Sequence, residues 1–224
     1  MLTIEYLSKN GYAIEWDDTV FIIDYSEGRL PSQYLMEKKQ TYFLVSSFDE
    51  NHYDESIKSY KKPIISPRDL LMKNACVKVS AGDVLHFGGF RLIVVGHKNN
   101  GIAYLIEKNG KSVFHGGNLS SQSKIKKPSN LQLLEAIDSF RMLIMSLKKV
   151  VRPNIMIASV NPLWGEEYDE DAKFMVETLK PSRFFPSNFG NYIADIDRFS
   201  TWLENREIEF SGPKQENKKY RIGE

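Results

Sequence analysis

The sequence predicts an α+β fold in which two sheets pack face to face with helices outside, a four-layer αββα sandwich. Three observations carry that expectation. Short strand-like runs joined by tight turns fill the first half of the chain, two glycine-bearing hairpin turns sit near its middle, and from about residue 130 helix-like and strand-like segments alternate. Periodicity alone supports only mixed α and β, and a β-sandwich with a helical appendage is the alternative at this level.

In chain order, Thr3 to Leu7, Tyr12 to Trp16 and Val20 to Asp24 read as an antiparallel meander with Asp17-Asp18 as a turn. Thr41 to Val45 reads as a buried strand, and Asp49 to Tyr60 as a loop entering a short helix, so a strand end meets a helix start near Ser47. Gly88-Gly89 joins Val84–Phe87 to Phe90–Val95, and Asn109-Gly110 joins Ile102–Lys108 to Ser112–His115; both pairs supply the positive φ that two-residue hairpins need. Asn130 to Val151 reads as a helix opened by a capping box at Ser129 and Gln132. Its apolar residues fall on several faces, which predicts burial on more than one side. Ile155–Ala158 and Phe184–Pro186 read as strands, and Glu167–Leu179 and Ala194–Glu204 as helices. Residues 1–211 are expected to form the domain and residues 212–224, rich in Lys, Glu, Asn and Gln, a loose polar tail.

Composition narrows the classes of function. Hydrophobic residues make up 42% and charged residues 26%, which places the chain among packed globular proteins and not disordered ones. Thirty basic against 29 acidic side chains leave a formal charge of +1, so no global field draws it to nucleic acid or to an anionic membrane. The one cysteine, Cys76, excludes an internal disulfide and a cysteine-built zinc site and fits a cytoplasmic protein. The N-terminus reads as a strand, not a signal peptide, and no apolar run reaches the roughly 18 residues of a membrane span.

Several segments then resemble, in order, the metallo-β-lactamase superfamily, in particular its ascorbate-6-phosphate lactonase-like branch. Leu7-Ser8-Lys9-Asn10-Gly11-Tyr12 is similar to that branch's opening Gly-His-Ser-Gly-Phe segment, with Lys9 at the first His position. Val20 to Asp24 resembles the strand leading to its Asp. Val45-Ser46-Ser47-Phe48-Asp49-Glu50-Asn51-His52 falls where the family carries His-x-His-x-Asp-His, and only the final His is kept. The hairpin ending in Phe114-His115-Gly116-Gly117-Asn118 resembles the family's His-Ala-Gly-Asp, with Asn118 at the bridging carboxylate, and Phe185-Pro186-Ser187-Asn188-Phe189 resembles its Pro-Met-His-Phe, with Asn188 at the last His. The resemblance spans roughly residues 1–205 and implies an αββα fold of metallo-β-lactamase type. It also implies that Asp49, His52, Asn118 and Asn188 meet at one end of the sandwich.

At the six ligand positions stand Ser47, Asp49, Asn51, His52, Asn118 and Asn188. Two are ordinary zinc ligands; a carboxamide brings neither charge nor basicity, and amides at positions 51 and 118 remove the charge that offsets two dications. The resemblance thus implies a vestigial site, and no cofactor is expected. Other readings compete. Asp49 and His52 with His97 or His115 can in principle hold one zinc or manganese. Gly116 and Gly117, with Lys9 and Lys98, can offer amides and positive charge to an anion. Ser47 beside His52 and Asp49 hints at a serine triad, without a nucleophile elbow or oxyanion hole. The plainest reading of these residues is a satisfied polar network, and His86 has no partner to name. For function, the leading expectation is a non-catalytic hydrolase-like domain binding a small ligand or a partner. The rival is a hydrolase of esters, lactones or phosphoesters with an atypical single metal, and the third reading is a structural subunit forming homo-oligomers through its helices.

Overall fold

The computed structural model describes residues 1–67, 76–97, 101–121, 129–190 and 196–223, with the backbone alone at 97 and 101. Its contacts divide the chain into two units, residues 1–79 with 213–224 and residues 80–212, each built on one seven-stranded sheet.

The first unit opens with the expected meander: β1 (Leu2–Ser8), β2 (Gly11–Trp16) and β3 (Thr19–Ile23), paired antiparallel. The chain then crosses over to add β4 (Gln40–Leu44), β5 (Ile64–Ser66) and β6 (Cys76–Lys78), all parallel. Register places Ala13 beside Ile22, Ile22 beside Phe43 and Phe43 beside Ile64, a continuous apolar row across four strands. Tyr34 and Ile57, from 3₁₀ turns at Ser32–Leu35 and Glu55–Tyr60, pack against that row.

The C-terminal segment departs from expectation. Lys219–Ile222 forms the last strand, β14 in chain order, paired antiparallel with Leu2–Glu5, and is no loose tail. Two physical needs explain it. Strand β1 would otherwise present an edge of unpaired amides and carbonyls, and Glu5, 0% exposed, requires a counter-charge, which Lys219 supplies at 3.2 Å while Tyr34 donates its hydroxyl hydrogen to the same carboxylate.

The second unit carries the antiparallel strands β7 (Val84–Phe87), β8 (Phe90–His97), β9 (Gly101–Lys108) and β10 (Lys111–His115). Both hairpin turns have positive φ at their two central residues, 56° and 78° at Gly88-Gly89 and 50° and 75° at Asn109-Gly110. Strands β11 (Ile155–Ser159), β12 (Arg183–Ser187) and β13 (Glu209–Phe210) continue the sheet in parallel. Helices α1 (Asn130–Leu147), α2 (Glu170–Leu179) and α3 (Asp197–Glu204) precede β11, β12 and β13 in turn, so the fold is mixed α and β. The start of the expected third helix, residues 194 and 195, lies outside the described residues.

Helix α1 opens on the predicted capping box: Gln132 N–H donates to Ser129 Oγ at 3.3 Å and Ser129 N–H to Gln132 Oε1 at 2.9 Å. Its burial corrects the expectation of apolar contact on several sides. Only Phe140 and Ile144 are buried, with Phe140 facing the Phe174 ring of α2, while Leu131, Leu134, Met142 and Met145 stand in solvent. A helix lying on one surface covers a single stripe, whatever the remaining faces carry. Among the described residues no helix is long and apolar enough to cross a membrane.

Replacing Lys219 leaves a buried carboxylate without its cation. Lys219→Met is therefore expected to lower the unfolding free energy by about 2 kcal/mol, measured by urea denaturation. The double variant Glu5→Gln/Lys219→Met should recover most of that loss.

Candidate functional site

In the first unit the polar groups collect around the ends of β3 and β4. Asp24 follows β3 in the left-handed region at φ 51°, its amide donating to Leu44 O, and it is 0% exposed. Three donors satisfy its carboxylate: Ser46 N–H reaches Oδ1 at 2.7 Å, while Ser46 Oγ at 2.7 Å and His52 Nδ1 at 2.9 Å reach Oδ2. Charge-assisted hydrogen bonds of this kind are what make a buried carboxylate tolerable. They also settle the tautomer of His52, because Nδ1 faces a carboxylate oxygen and must carry the hydrogen.

Nε2 of His52 is then the acceptor nitrogen, and it is engaged as well. The buried Asn10 places its amide Nδ2 at 3.3 Å from Nε2 and at 3.3 Å from Asn51 O, two acceptors that fix which way the carboxamide points. Asn10 reaches this position through the turn between β1 and β2. Lys9 takes a positive φ of 46° there, and Gly11 is needed because a Cβ would lie 3.0 Å from Ser8 O and 3.3 Å from Asp24 O.

The remaining residues of the strand β4 loop bind one another. Ser47 Oγ donates to Asp49 Oδ2 at 2.7 Å, Asn51 N–H donates to Asp49 Oδ1 at 3.1 Å, and Asp49 Oδ1 stands 3.9 Å from His52 Nε2. Ser47 is thus bound to Asp49 and not to His52; the serine that meets the imidazole is Ser46, 3.1 Å from Nδ1, and it is buried and donates its hydrogen to Asp24. Ser47, His52 and Asp49 therefore do not assemble a serine triad. Lys9 ion-pairs with Glu27 at 2.9 Å.

In the second unit β10, β11 and β12 run parallel with His115 beside Ile157 and Ile157 beside Phe185. Asn118 and Asn188, each three residues past that row, accordingly lie beyond the carboxyl ends of their strands at the same end of the sheet, both half-buried. Asn188 adopts a positive φ of 54°, and Asn118 N–H donates to Ile102 O at 3.2 Å. His115 is buried and its Nδ1 accepts the Gly117 N–H at 3.1 Å, while Gly116 N–H donates to Ile157 O at 2.7 Å. Both glycine amides are therefore spent within the chain and neither is left for an anion. Lys98 and the side chain of His97 lie outside the described residues, and His86 is exposed on β7. The loop after Asn118 is tied to α2 by Ser121 N–H and Ser120 Oγ, which donate to Asp171 Oδ2 at 2.7 and 3.2 Å.

The donor set does not fit the metal that the family resemblance implies. Among the described residues no three His, Cys, Asp or Glu side chains gather as a metal-binding group. Within the motif itself, the imidazole nitrogen that would coordinate faces the hydrogens of Asn10. Sequence reasoning missed Asn10 and Ser46 and gave Asp24 no partner; the available signal was a polar residue at the end of each apolar strand.

Comparison with solved structures supports the architecture. The chain superposes on Igni18, a metallo hydrolase from the archaeon Ignicoccus hospitalis, with a TM-score of 0.69 at 13% identity, covering 99% of both chains. It superposes on YhfI of Bacillus subtilis, described as a metallo-β-lactamase fold protein, with a TM-score of 0.68 at 12% identity over 98% of each chain. The chain has the metallo-β-lactamase fold. An isothiocyanate hydrolase from Delia radicum gut bacteria is similar at a TM-score of 0.63 and 11% identity, covering 98% of this chain and 99% of that one. No family model and no curated protein sequence matches the chain. At these identities the likeness is one of metallo-β-lactamase fold and not of chemistry.

Removing the carboxylate at the centre of the network strands three donors. Asp24→Ala is expected to cost about 3 kcal/mol of stability, read as a fall in the urea midpoint at unchanged slope. Ser47→Ala, which cuts only two exposed hydrogen bonds to Asp49, should stay within about 0.5 kcal/mol of the parent.

Proposed function

We propose that this metallo-β-lactamase-fold chain is a ligand- or partner-binding protein that carries out no metal-dependent hydrolysis, a descendant of the ascorbate-6-phosphate lactonase-like branch with a degenerate metal site. One observation carries the reading: both ring nitrogens of His52 are committed within the chain, Nδ1 to Asp24 and Nε2 to Asn10. Metal-assisted hydrolysis needs an imidazole lone pair on the metal, a carboxylate to complete the charge, and a bound water whose pKa falls towards roughly 7. Here the lone pair already accepts a hydrogen bond, and amides stand at positions 51, 118 and 188.

A neutral ligand suits each unit better than an anion: in the first Lys9 is compensated by Glu27, and in the second the amides of Gly116 and Gly117 are used internally and the strand ends carry the carboxamides of Asn118 and Asn188. Carboxamides pair well with a ligand that is both donor and acceptor.

Protein purified without chelator and dialysed should hold far less than one zinc or manganese per chain by elemental analysis, and should show no chelator-sensitive turnover of ester, lactone or phosphoester substrates. Stoichiometric metal with chelator-sensitive turnover would overturn the reading in favour of a single-metal hydrolase. The combined variant Ser47→His, Asp49→His, Asn51→Asp, Asn118→Asp and Asn188→His, made together with Asn10→Ser to release Nε2, is expected to gain zinc where the parent does not, with a rise in melting temperature on adding zinc.

A further inference from the structure

We propose that the outer face of α1 is a homodimer interface, in which two copies pair antiparallel about a two-fold axis near Met142. The face is defined by residues at helical spacing: Leu131, Leu134, Asp138, Met142, Met145 and Lys149 follow one another at intervals of three or four. Leu131 is 65% exposed, Leu134 59%, Met142 66% and Met145 58%, and Val150 just past the helix end is 66% exposed. The opposite side of the helix holds its buried residues, Phe140 and Ile144, so this stripe points away from the body of its own unit.

The area is large for an ordinary surface. Four such side chains present on the order of 400 Å² of apolar surface, the range at which a contiguous patch on a soluble protein marks an interaction site. That is about half of the ~800 Å² per partner buried in a standard stable interface, and a rim of polar residues can supply the rest. Two methionines at the centre suit such a surface, because an unbranched thioether adapts to the side chain it meets.

Charge selects the occupant. Glu135 and Asp138 lie in the first half of α1, and Lys148 and Lys149 at its end; all four are exposed, and none is ion-paired among the described residues. The face is therefore acidic at one end and basic at the other, which makes it complementary to itself when reversed. A two-fold axis at Met142 sets Met142 against its own copy and Glu135 against the partner's Lys149. It also opposes the two helix dipoles. Parallel pairing would set acid against acid and base against base. An anionic lipid surface fits less well, because Glu135 and Asp138 lie within the apolar stripe.

Sedimentation equilibrium of the whole chain tests this. The parent should behave as a dimer across the micromolar range, and Met142→Lys, which places like charges at the axis, should halve the mass with the circular dichroism spectrum unchanged. Glu135→Lys alone and Lys149→Glu alone should each weaken dimerisation, and the double variant should restore it. A parent chain that is monomeric throughout, or a dimer indifferent to Met142→Lys, would overturn the proposal. So would failure of the double variant to recover dimerisation, or co-sedimentation of a monomeric parent with phosphatidylglycerol vesicles.

Discussion

A carboxylate with no contact to water dictates much of the first unit. Asp24 lies fully buried at the end of β3, where its charge is tolerable only if donors reach it from elsewhere in the chain. Ser46 supplies two from the end of β4 and His52 a third from the loop that follows. Once His52 is bound through Nδ1, its Nε2 must face Asn10 on the turn between β1 and β2. One buried charge thereby ties together three stretches that are distant in sequence, the turn at Asn10, the end of β3 and the segment from Ser46 to His52. The same constraint governs the other buried carboxylate of the unit: Glu5 holds Lys219, and with it the C-terminal strand.

The functional consequence lies in what such a network can exchange. A histidine positioned by a buried aspartate is the usual support for a metal, since the aspartate orients the ring and raises the basicity of the other nitrogen. Here Asp24 holds Nδ1 of His52 in that way, and the other ring nitrogen faces the carboxamide of Asn10. Hydrogen bonding to Asn10 is far weaker than coordination, and the nearby groups of the same unit are the carboxylate of Asp49, 3.9 Å from Nε2, and the amide of Asn51.

How far the sequence revealed this depended on how local the signal was. The Asn109-Gly110 and Gly88-Gly89 hairpins and the Ser129–Gln132 capping box were legible because each is dictated by residues that touch one another along the chain. Strand β14 was not, since the alternation of Lys219-Tyr220-Arg221-Ile222 is masked by charged neighbours and acquires meaning only beside β1. The outer face of α1 was misjudged for a related reason: leucine and methionine at helical spacing report apolar character, not what covers it. In the site, motif order could only suggest which residues stand at the family's ligand positions, and the meeting of Asn10, Asp24, Ser46 and His52 was not legible, because serine, asparagine and aspartate are common at strand ends.

The account turns on the second nitrogen of His52. With ¹⁵N-labelled histidine, long-range proton–nitrogen NMR spectra recorded during a zinc titration observe that atom directly. The account predicts a hydrogen on Nδ1, an unprotonated Nε2, and no change in the Nε2 resonance at equimolar zinc. A large zinc-dependent shift of Nε2 at stoichiometric metal would contradict it, because the lone pair would then be available to a cation and the amide of Asn10 would yield to it.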